Sequence, residues 1–429
     1  MNGAGSRWRG VLRSLEHRNY QLFFGGQPIS LTGTWMQNVA QSWLVYSLTK
    51  SSLLLGLVGF AGQIPVFLIA PLGGALADRV NRHRVIVATQ SAMMVLAFVL
   101  SWLTLAGTVQ VWHIMVLASL LGVANAFDIP ARQAFVVEMV GKADLTNAIA
   151  LNSSLFNGAR IVGPAVAGVL VAAIGEGWCF FANGVSYIAV IVGLLLMRLV
   201  PPRRCPAPAS AFAHLAGGFR YAARTRPIRA ILLLLGSVSL LGMPYAVLMP
   251  VFAGQILHSG ARGLGILMGA SGIGAFLGAM TLAARQGLRG LGGWISNATI
   301  GFGAGLIVFS LSRWFWVSAA LMIPVGFAFL VQMASSNTLI QSMVPDELRG
   351  RVMALYSMMF MGMAPLGALG AGVAASRLGA PLAVAIGGAI CCAAGVVFRL
   401  QLGGFRAEAR ELIAAQQMAG GDATGSGPA

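Results

Sequence analysis

Charge is what this sequence of 429 residues has least of: Asp, Glu, Lys and Arg together make up 9% of it, against roughly a quarter in an ordinary soluble domain. Acids are the scarcer sign, 11 against 28 Lys and Arg. No stretch is polar enough over a domain's length to fold in water, so the net charge of +17 does not describe a soluble nucleic-acid-binding module. Cysteine is sparse as well. Cys179, Cys205, Cys391 and Cys392 show no C-x-x-C spacing, which argues against a disulfide framework and against a metal site. The five histidines, His17, His83, His113, His214 and His258, are scattered. A phosphate-binding G-x-x-x-x-G-K-[ST] loop is missing, since Gly141-Lys142 runs on into Ala143-Asp144 without the rest of the pattern. That excludes an encoded ATPase. The acids mostly fall at loops with no nucleophile and base visibly paired, so neither an enzyme nor a cofactor is expected.

What the chain does have is apolar length. Hydrophobic residues are 57% of it and the mean hydropathy is +0.81. Apolar segments at about 20–48, 53–77, 85–106, 110–131, 147–173, 179–198, 229–252, 263–284, 291–311, 315–337, 352–374 and 381–402 each hold about the 20 residues that a bilayer-crossing helix requires. The expected fold class is an all-α integral membrane protein of twelve transmembrane helices. The first segment follows Arg7, Arg9, Arg13 and Arg18 and lacks a small-residue cleavage site, so it reads as a span and not a removable signal. Short cytoplasmic loops retain Lys and Arg. On this layout 23 of the basic residues fall on one side and 4 (Lys50, Arg262, Arg313 and Arg377) on the other, with Arg160 alone inside a span. The bias places both termini in the cytoplasm. The 56 glycines exceed the usual share and suit close helix packing in a membrane.

Five regions follow: a cytoplasmic N-terminus (1–18), a six-helix bundle (19–198), a cytoplasmic linker (199–228), a second six-helix bundle (229–402) and a cytoplasmic tail (403–429). The linker opens with Pro201, Pro202, Pro206 and Pro208, then sets Phe212, Leu215, Phe219 and Ala222 at helical spacing opposite Arg220 and Arg224. That pattern predicts an interfacial helix. Sliding the chain by 204 residues lays Met139-Val140 over Met343-Val344, Ala150-Leu151 over Ala354-Leu355 and Gly175 over Gly379, so the fifth span repeats as the eleventh. Two related halves are the plan of a transporter that rocks about a central site.

Between the second and third spans lies Gly74-Ala-Leu76-Ala-Asp78-Arg79-Val-Asn81-Arg82-His-Arg84. It resembles the G-x-L-a-D-r-x-G-r-k signature of the major facilitator superfamily, with Asn81 where Gly is usual. The stretches LTGTWMQNVAQSWLVY, NAFDIPARQAFV, NGARIVGPAVAG and PDELRGRVMALYSMMFMGMAPLG resemble the bacterial transmembrane secretion effectors, the enterobactin-exporter-like group. The resemblance covers nearly the whole chain and implies transport by alternating access.

Topology needs arginines but no aspartate, so Asp78 is expected to act in a cytoplasmic gate of Gly74, Asp78, Arg79, Arg82 and Arg84 with Arg349 and Arg351 at the start of the eleventh span; the alternative is that this loop only sets topology. Asp128 and Arg132 share a helix face, four apart around Pro130. An ionisable group inside a span normally has a partner or a task. Asp128 is therefore either a proton site or half of a structural pair with Arg132, reaching Asp78 or Glu138. Arg160 is expected to face a cavity, or else to snorkel or pair structurally. Gly158, Gly163, Pro164 and Gly168 mark the fifth span as a gating helix, at a spacing one residue off the antiporter signature at either end. Gln27, Ser30, Thr34, Asn38 and Gln41 form a polar stripe on the first span, and Tyr245 and Gln332 add to a substrate cavity; interhelical hydrogen bonding is the competing use.

The expected activity is proton-coupled export of an amphipathic small molecule, a siderophore, drug or metabolite, by a monomer in a bacterial inner membrane, with substrate, protons and membrane lipids as partners and no metal or nucleic acid. The alternative is a lipid flippase or a non-transporting membrane subunit of the same fold.

Overall fold

The computed structural model describes residues 13–141, 143–198, 211–285, 287–288, 290–404, 408–414 and 416, without the side chains of residues 71, 75, 77–79, 211–216 and 346. Twelve long helical segments follow the apolar runs: α1 (Arg18–Thr49), α2 (Ser52–Arg79), α3 (Arg82–Leu105), α4 (Val111–Val140), α5 (Leu145–Ile174), α6 (Glu176–Leu195), α7 (Arg226–Ile256), α8 (Gly260–Ala284), α9 (Leu291–Leu311), α10 (Phe315–Met343), α11 (Asp346–Leu378) and α12 (Ala380–Leu400). No strand occurs among the described residues. Local chemistry sets several ends. Ser51 accepts a hydrogen bond from the Leu54 amide at 3.3 Å and starts α2, and Asn81 does the same for Arg84 at 3.4 Å and starts α3.

Eleven of these segments are apolar and long enough to cross a bilayer. The exception is α1, long enough at 32 residues but laced with Gln, Asn, Ser and Thr. Its polarity is what a helix facing an aqueous or polar interior requires, and it lowers the hydropathy that marks the others as spans. Segment α7 is broken: π turns over Val238–Gly242 and Phe252–Ile256 flank the Met243-Pro244 turn. Pro244 has no amide hydrogen to continue the helix.

Contacts divide the chain into two units, Met1–Ala207 with Met249–Gly269, and Pro208–Leu248 with Ala270–Ala429. In the first, α1 packs on α5 and α6, α2 on α4, and α3 on α4 and α6. In the second, α9 packs on α10 and α12, while α11 lies against α12, the first part of α7 and the linker helix (Ala211–Arg224). That helix buries Ala222, leaves Phe219, Arg220 and Arg224 exposed, and seats Gly217 and Gly218 on Arg351. The tail returns too, burying Ala409 in the cluster built by Ile228, Ile295, Ile340 and Val352.

The repeat is visible in the backbone. Helices α5 and α11 end at Ile174 and Leu378, α6 and α12 begin at Glu176 and Ala380, and the intervening Gly175 and Gly379 both have φ of 85°. A left-handed φ there needs glycine, so the matching pair reflects the same turn made twice. Helices α4 and α10 start in the same register, at Val111 and Phe315.

Candidate functional site

The sequence places a carboxylate where α4 should be apolar, and the structure shows what accommodates it. Asp128 is 3% exposed. Its Oδ2 receives Nε and Nη2 of Arg132 at 3.1 and 2.6 Å, and its Oδ1 receives the Thr89 hydroxyl and the Gln90 amide of α3 at 2.9 and 3.0 Å. Arg132 then donates from Nη1 to Gln27 Oε1 of α1 at 2.9 Å. A buried carboxylate with four donors retains its charge at far lower cost than an isolated one. The i,i+4 pair anticipated on α4 therefore forms, in a network tying α1, α3 and α4.

Pro130 contributes through what it removes. It cannot donate to the Ala126 carbonyl, its i−4 partner, and α2 approaches that same carbonyl so closely at Gly73 that a Cβ would collide with it. The close approach is at Gly73; Gly74, the glycine of the loop signature, faces open space.

A second polar cluster lies on α1 and α6. Asn183 donates to Gln37 Oε1 at 2.6 Å, Ser186 donates to Asn183 Oδ1 at 3.0 Å, and the Tyr187 hydroxyl meets Thr34 and Asn183. The α1 stripe is thereby divided. Gln27 is bound to Arg132, Ser30 is buried and its carbonyl accepts from Thr34 at 2.9 Å, Gln41 is half-buried and Asn38 is exposed. Thr89, Gln90, Gln37, Asn183 and Tyr187 were absent from the sequence-based site. The signal that marks them is a polar side chain deep in an apolar run; Gln37 stands one position off the stripe.

At the cytoplasmic loops expected from the charge bias, Arg82 pairs with Glu138 at 2.7 Å, so Glu138 serves the α2–α3 loop and not Asp128. His83 Nε2 donates to the Leu194 carbonyl at 2.8 Å. Arg84 is exposed, and the side chains of Asp78 and Arg79 lie outside the described residues. Asp144, before α5, is gripped by Arg13 and His17, each at 2.9 Å. In the second unit Arg349 is exposed on the first turns of α11, and Arg351 packs under the linker helix.

On α5, Gly163 lets α1 approach through Trp35 and the Thr32 carbonyl, and Gly168 sits where a Cβ would be 3.0 Å from Gly265 Cα of α8. Pro164 is buried between them. Gly158 has nothing within 4 Å, so two of the three glycines make helix crossings. The Arg160 guanidinium lies 5.8 Å from the Trp35 ring centre, with Phe156 edge-on to the same ring at 5.7 Å. An arginine over an aromatic face is favoured electrostatically.

In the second unit the Tyr245 and Ser271 hydroxyls are 3.0 Å apart, and Gln332 donates to Ser336 Oγ at 3.4 Å. Gln332 Oε1 and Ser335 Oγ are buried without a hydrogen-bond partner. Shifted by 204, Asp128 falls on Gln332 and Arg132 on Ser336. The same two positions of the repeat thus carry an ion pair on α4 and a neutral pair on α10. No group of His, Cys, Asp and Glu among the described residues is arranged to hold a metal.

Known proteins share this arrangement at several levels. The nucleoside transporter NupG superposes with a TM-score of 0.73 at 14% identity, over 89% of this chain and 99% of NupG, which shows a common fold. The Staphyloferrin A transporter of Staphylococcus aureus is 26% identical over 351 residues, 81% of this chain and 87% of that protein. The multidrug efflux pump Tap of Mycolicibacterium fortuitum is 26% identical over 365 residues, with the same two shares, 81% and 87%. The family model described as transmembrane secretion effector matches residues 10–423. Twelve helical segments in a repeated plan, the loop signature and a match over almost the entire length lead to one assignment: this multi-span membrane protein is a major facilitator transporter belonging to the transmembrane secretion effector family.

Proposed function

We propose that the protein is a proton-coupled exporter that moves amphipathic small molecules, of the siderophore and drug classes named for its relatives, out of a bacterial cell across the inner membrane, with both termini in the cytoplasm. The observation that carries this reading is the buried Asp128, an acid inside the span α4 at 3% exposure. Its charge depends on Arg132, and Arg132 also holds Gln27 of the α1 stripe. A substrate that binds the stripe and draws Arg132 towards itself loosens the hold on Asp128, and a proton on Asp128 in turn releases Arg132. Proton and substrate are then linked through one arginine, and a linkage of this kind is what coupled transport requires. The α1 stripe, with Asn38 exposed, suits uncharged polar contacts to a large amphipathic molecule. Asp78 would serve the cytoplasmic gate.

Efflux of a fluorescent amphipathic panel from cells stripped of their own pumps tests the reading. Extrusion that stops when the proton gradient is collapsed, and that Asp128→Asn abolishes in protein still present in the membrane, is the expected result. Efflux unaffected by the gradient in well-expressed protein would refute coupling.

A further inference from the structure

In the second unit, α9 and α10 enclose a cleft of about 390 Å³ that the polar networks do not use. Its walls come from Trp294, Asn297 and Gly301 of α9 and Pro324, Phe327 and Ala328 of α10. Apart from Asn297 these are apolar or aromatic, and the groove runs from the α8–α9 turn towards mid-span of α10.

Two cations stand at the end where α8 stops and α9 starts. The Arg285 guanidinium lies 4.8 Å from the Trp294 ring centre, with Nη2 close against Gly290 of the turn. Arg399, near the end of α12, donates to Asn297 Oδ1 at 2.9 Å and is otherwise exposed. The anchoring residues of both arginines, Trp294 and Asn297, are themselves cleft walls. Residues 177–345 contain no Asp or Glu, so α7 to α10 bring no negative charge of their own to this end, and the acids that follow, Asp346 and Glu347, open α11. An apolar groove that opens to the outside of α9 and α10 at Asn297, Gly301 and Pro324 and ends beneath arginines and a tryptophan has the parts of a phospholipid site: chain slot, interfacial aromatic and phosphate ligands. Arginine's planar donors suit phosphate oxygens.

We propose that this cleft binds an acyl chain of an anionic glycerophospholipid whose phosphate is held by Arg285 and Arg399. Positive charge at the rim argues against a cationic amphiphile as occupant, and the apolar walls argue against a free phosphate. A lipid held there would brace α9 against α10 and tie both to the ends of α8 and α12.

Native mass spectrometry of the full chain, titrated with palmitoyl-oleoyl phosphatidylglycerol or with the phosphatidylcholine of identical chains, provides the test. Phosphatidylglycerol adducts should exceed phosphatidylcholine adducts by at least about five-fold, the scale expected for one arginine at a lipid headgroup. Arg285→Gln with Arg399→Gln should erase the preference. Gly301→Leu should lower binding of both lipids, because it fills the groove; a Cβ there meets only Ala328 Cβ, at 4.0 Å, so the helix pair can accept it. Unchanged thermal unfolding of Gly301→Leu in lipid-free detergent separates loss of the site from loss of the fold. Equal binding of the two lipids to the wild type would overturn the proposal. So would a preference that survives the double arginine variant, or displacement of phosphatidylglycerol by tetraphenylphosphonium in the wild type but not in Gly301→Leu.

Discussion

Helices α4 and α10 are two versions of one element, and they differ most at the position that matters. Both present the same buried face: Ala124, Ala131, Phe135, Val136 and Met139 on α4 correspond at the 204-residue shift to Ala328, Ser335, Leu339, Ile340 and Met343 on α10, and all are buried. In the middle of that face α4 places Asp128 with Arg132, and α10 places Gln332 with Ser336. The surroundings differ accordingly. Asp128 has Thr89 and Gln90, and Arg132 has Gln27, whereas the matching positions in the second half are Gly293, Trp294 and Ile231. A fold needs only the shared apolar face, as α10 demonstrates by dispensing with the charges. The charges on α4 are therefore an addition to the packing plan that α10 does without.

The strongest way to break the comparison is to remove one charge. Asp128→Asn leaves the half-buried Arg132 without its counter-ion, and losing one partner of a buried pair costs up to roughly 3 to 5 kcal/mol. We expect a large drop in thermal-unfolding midpoint of the purified protein and complete loss of gradient-driven efflux. Writing the α10 pair into α4, Asp128→Gln with Arg132→Ser, should recover most of the stability and none of the transport. Recovery of transport in that double variant would show that the pair is packing and nothing more. The converse graft is the next largest. Gln332→Asp puts a carboxylate at the corresponding depth of α10, where insertion scales set the cost at about 2.5 to 3.5 kcal/mol, and Ser336→Arg should recover only part of it because Gly293 and Ile231 have no polar side-chain group and Trp294 has a single indole N–H. The amount of folded protein in the membrane fraction measures both steps.

This difference was half legible in the sequence. The i,i+4 spacing of Asp128 and Arg132 declared a pair, and the apolar runs, basic loops and 204-residue shift declared twelve spans in two related halves. The partners on other helices were hidden, because nothing in a linear sequence says that Thr89 and Gln90 of α3 face α4 and not lipid. Glu138 was misdirected for the same reason: it lies ten residues beyond Asp128 on the same helix, yet its partner is Arg82 across the α2–α3 loop. Glycine shows a similar limit. Gly73 and Gly74 are adjacent and chemically identical, but only Gly73 meets another backbone, since neighbouring helical residues point about 100° apart. Segment α1 is the opposite case, where the polar spacing disclosed a helix whose mean hydropathy conceals it.

A gentler change tests whether Asp128 owes its poise to Arg132 alone. Thr89→Val keeps the shape of the side chain and removes one of the four donors, so it should cost about 1 to 2 kcal/mol and slow efflux several-fold without abolishing it. Efflux at the wild-type rate in Thr89→Val would assign coupling to another group.

The smallest effect is expected where the charges are wet. Arg82 and Glu138 form a bond nearly as short as the one between Arg132 and Asp128, 2.7 against 2.6 Å, but their side chains are 27% and 28% exposed, against 21% for the side chain of Arg132 and 4% for that of Asp128. Water screens such a pair, and measured values for exposed ion pairs fall below about 1 kcal/mol. Arg82→Gln should therefore leave the unfolding midpoint nearly unchanged. Any transport defect it causes would come from the α2–α3 loop losing its hold on α4, so added salt should slow transport by the wild type and leave that of the variant flat. If Arg82→Gln destabilised the protein as much as Asp128→Asn, burial would not be what separates the two pairs, and the contrast between α4 and α10 would need another cause.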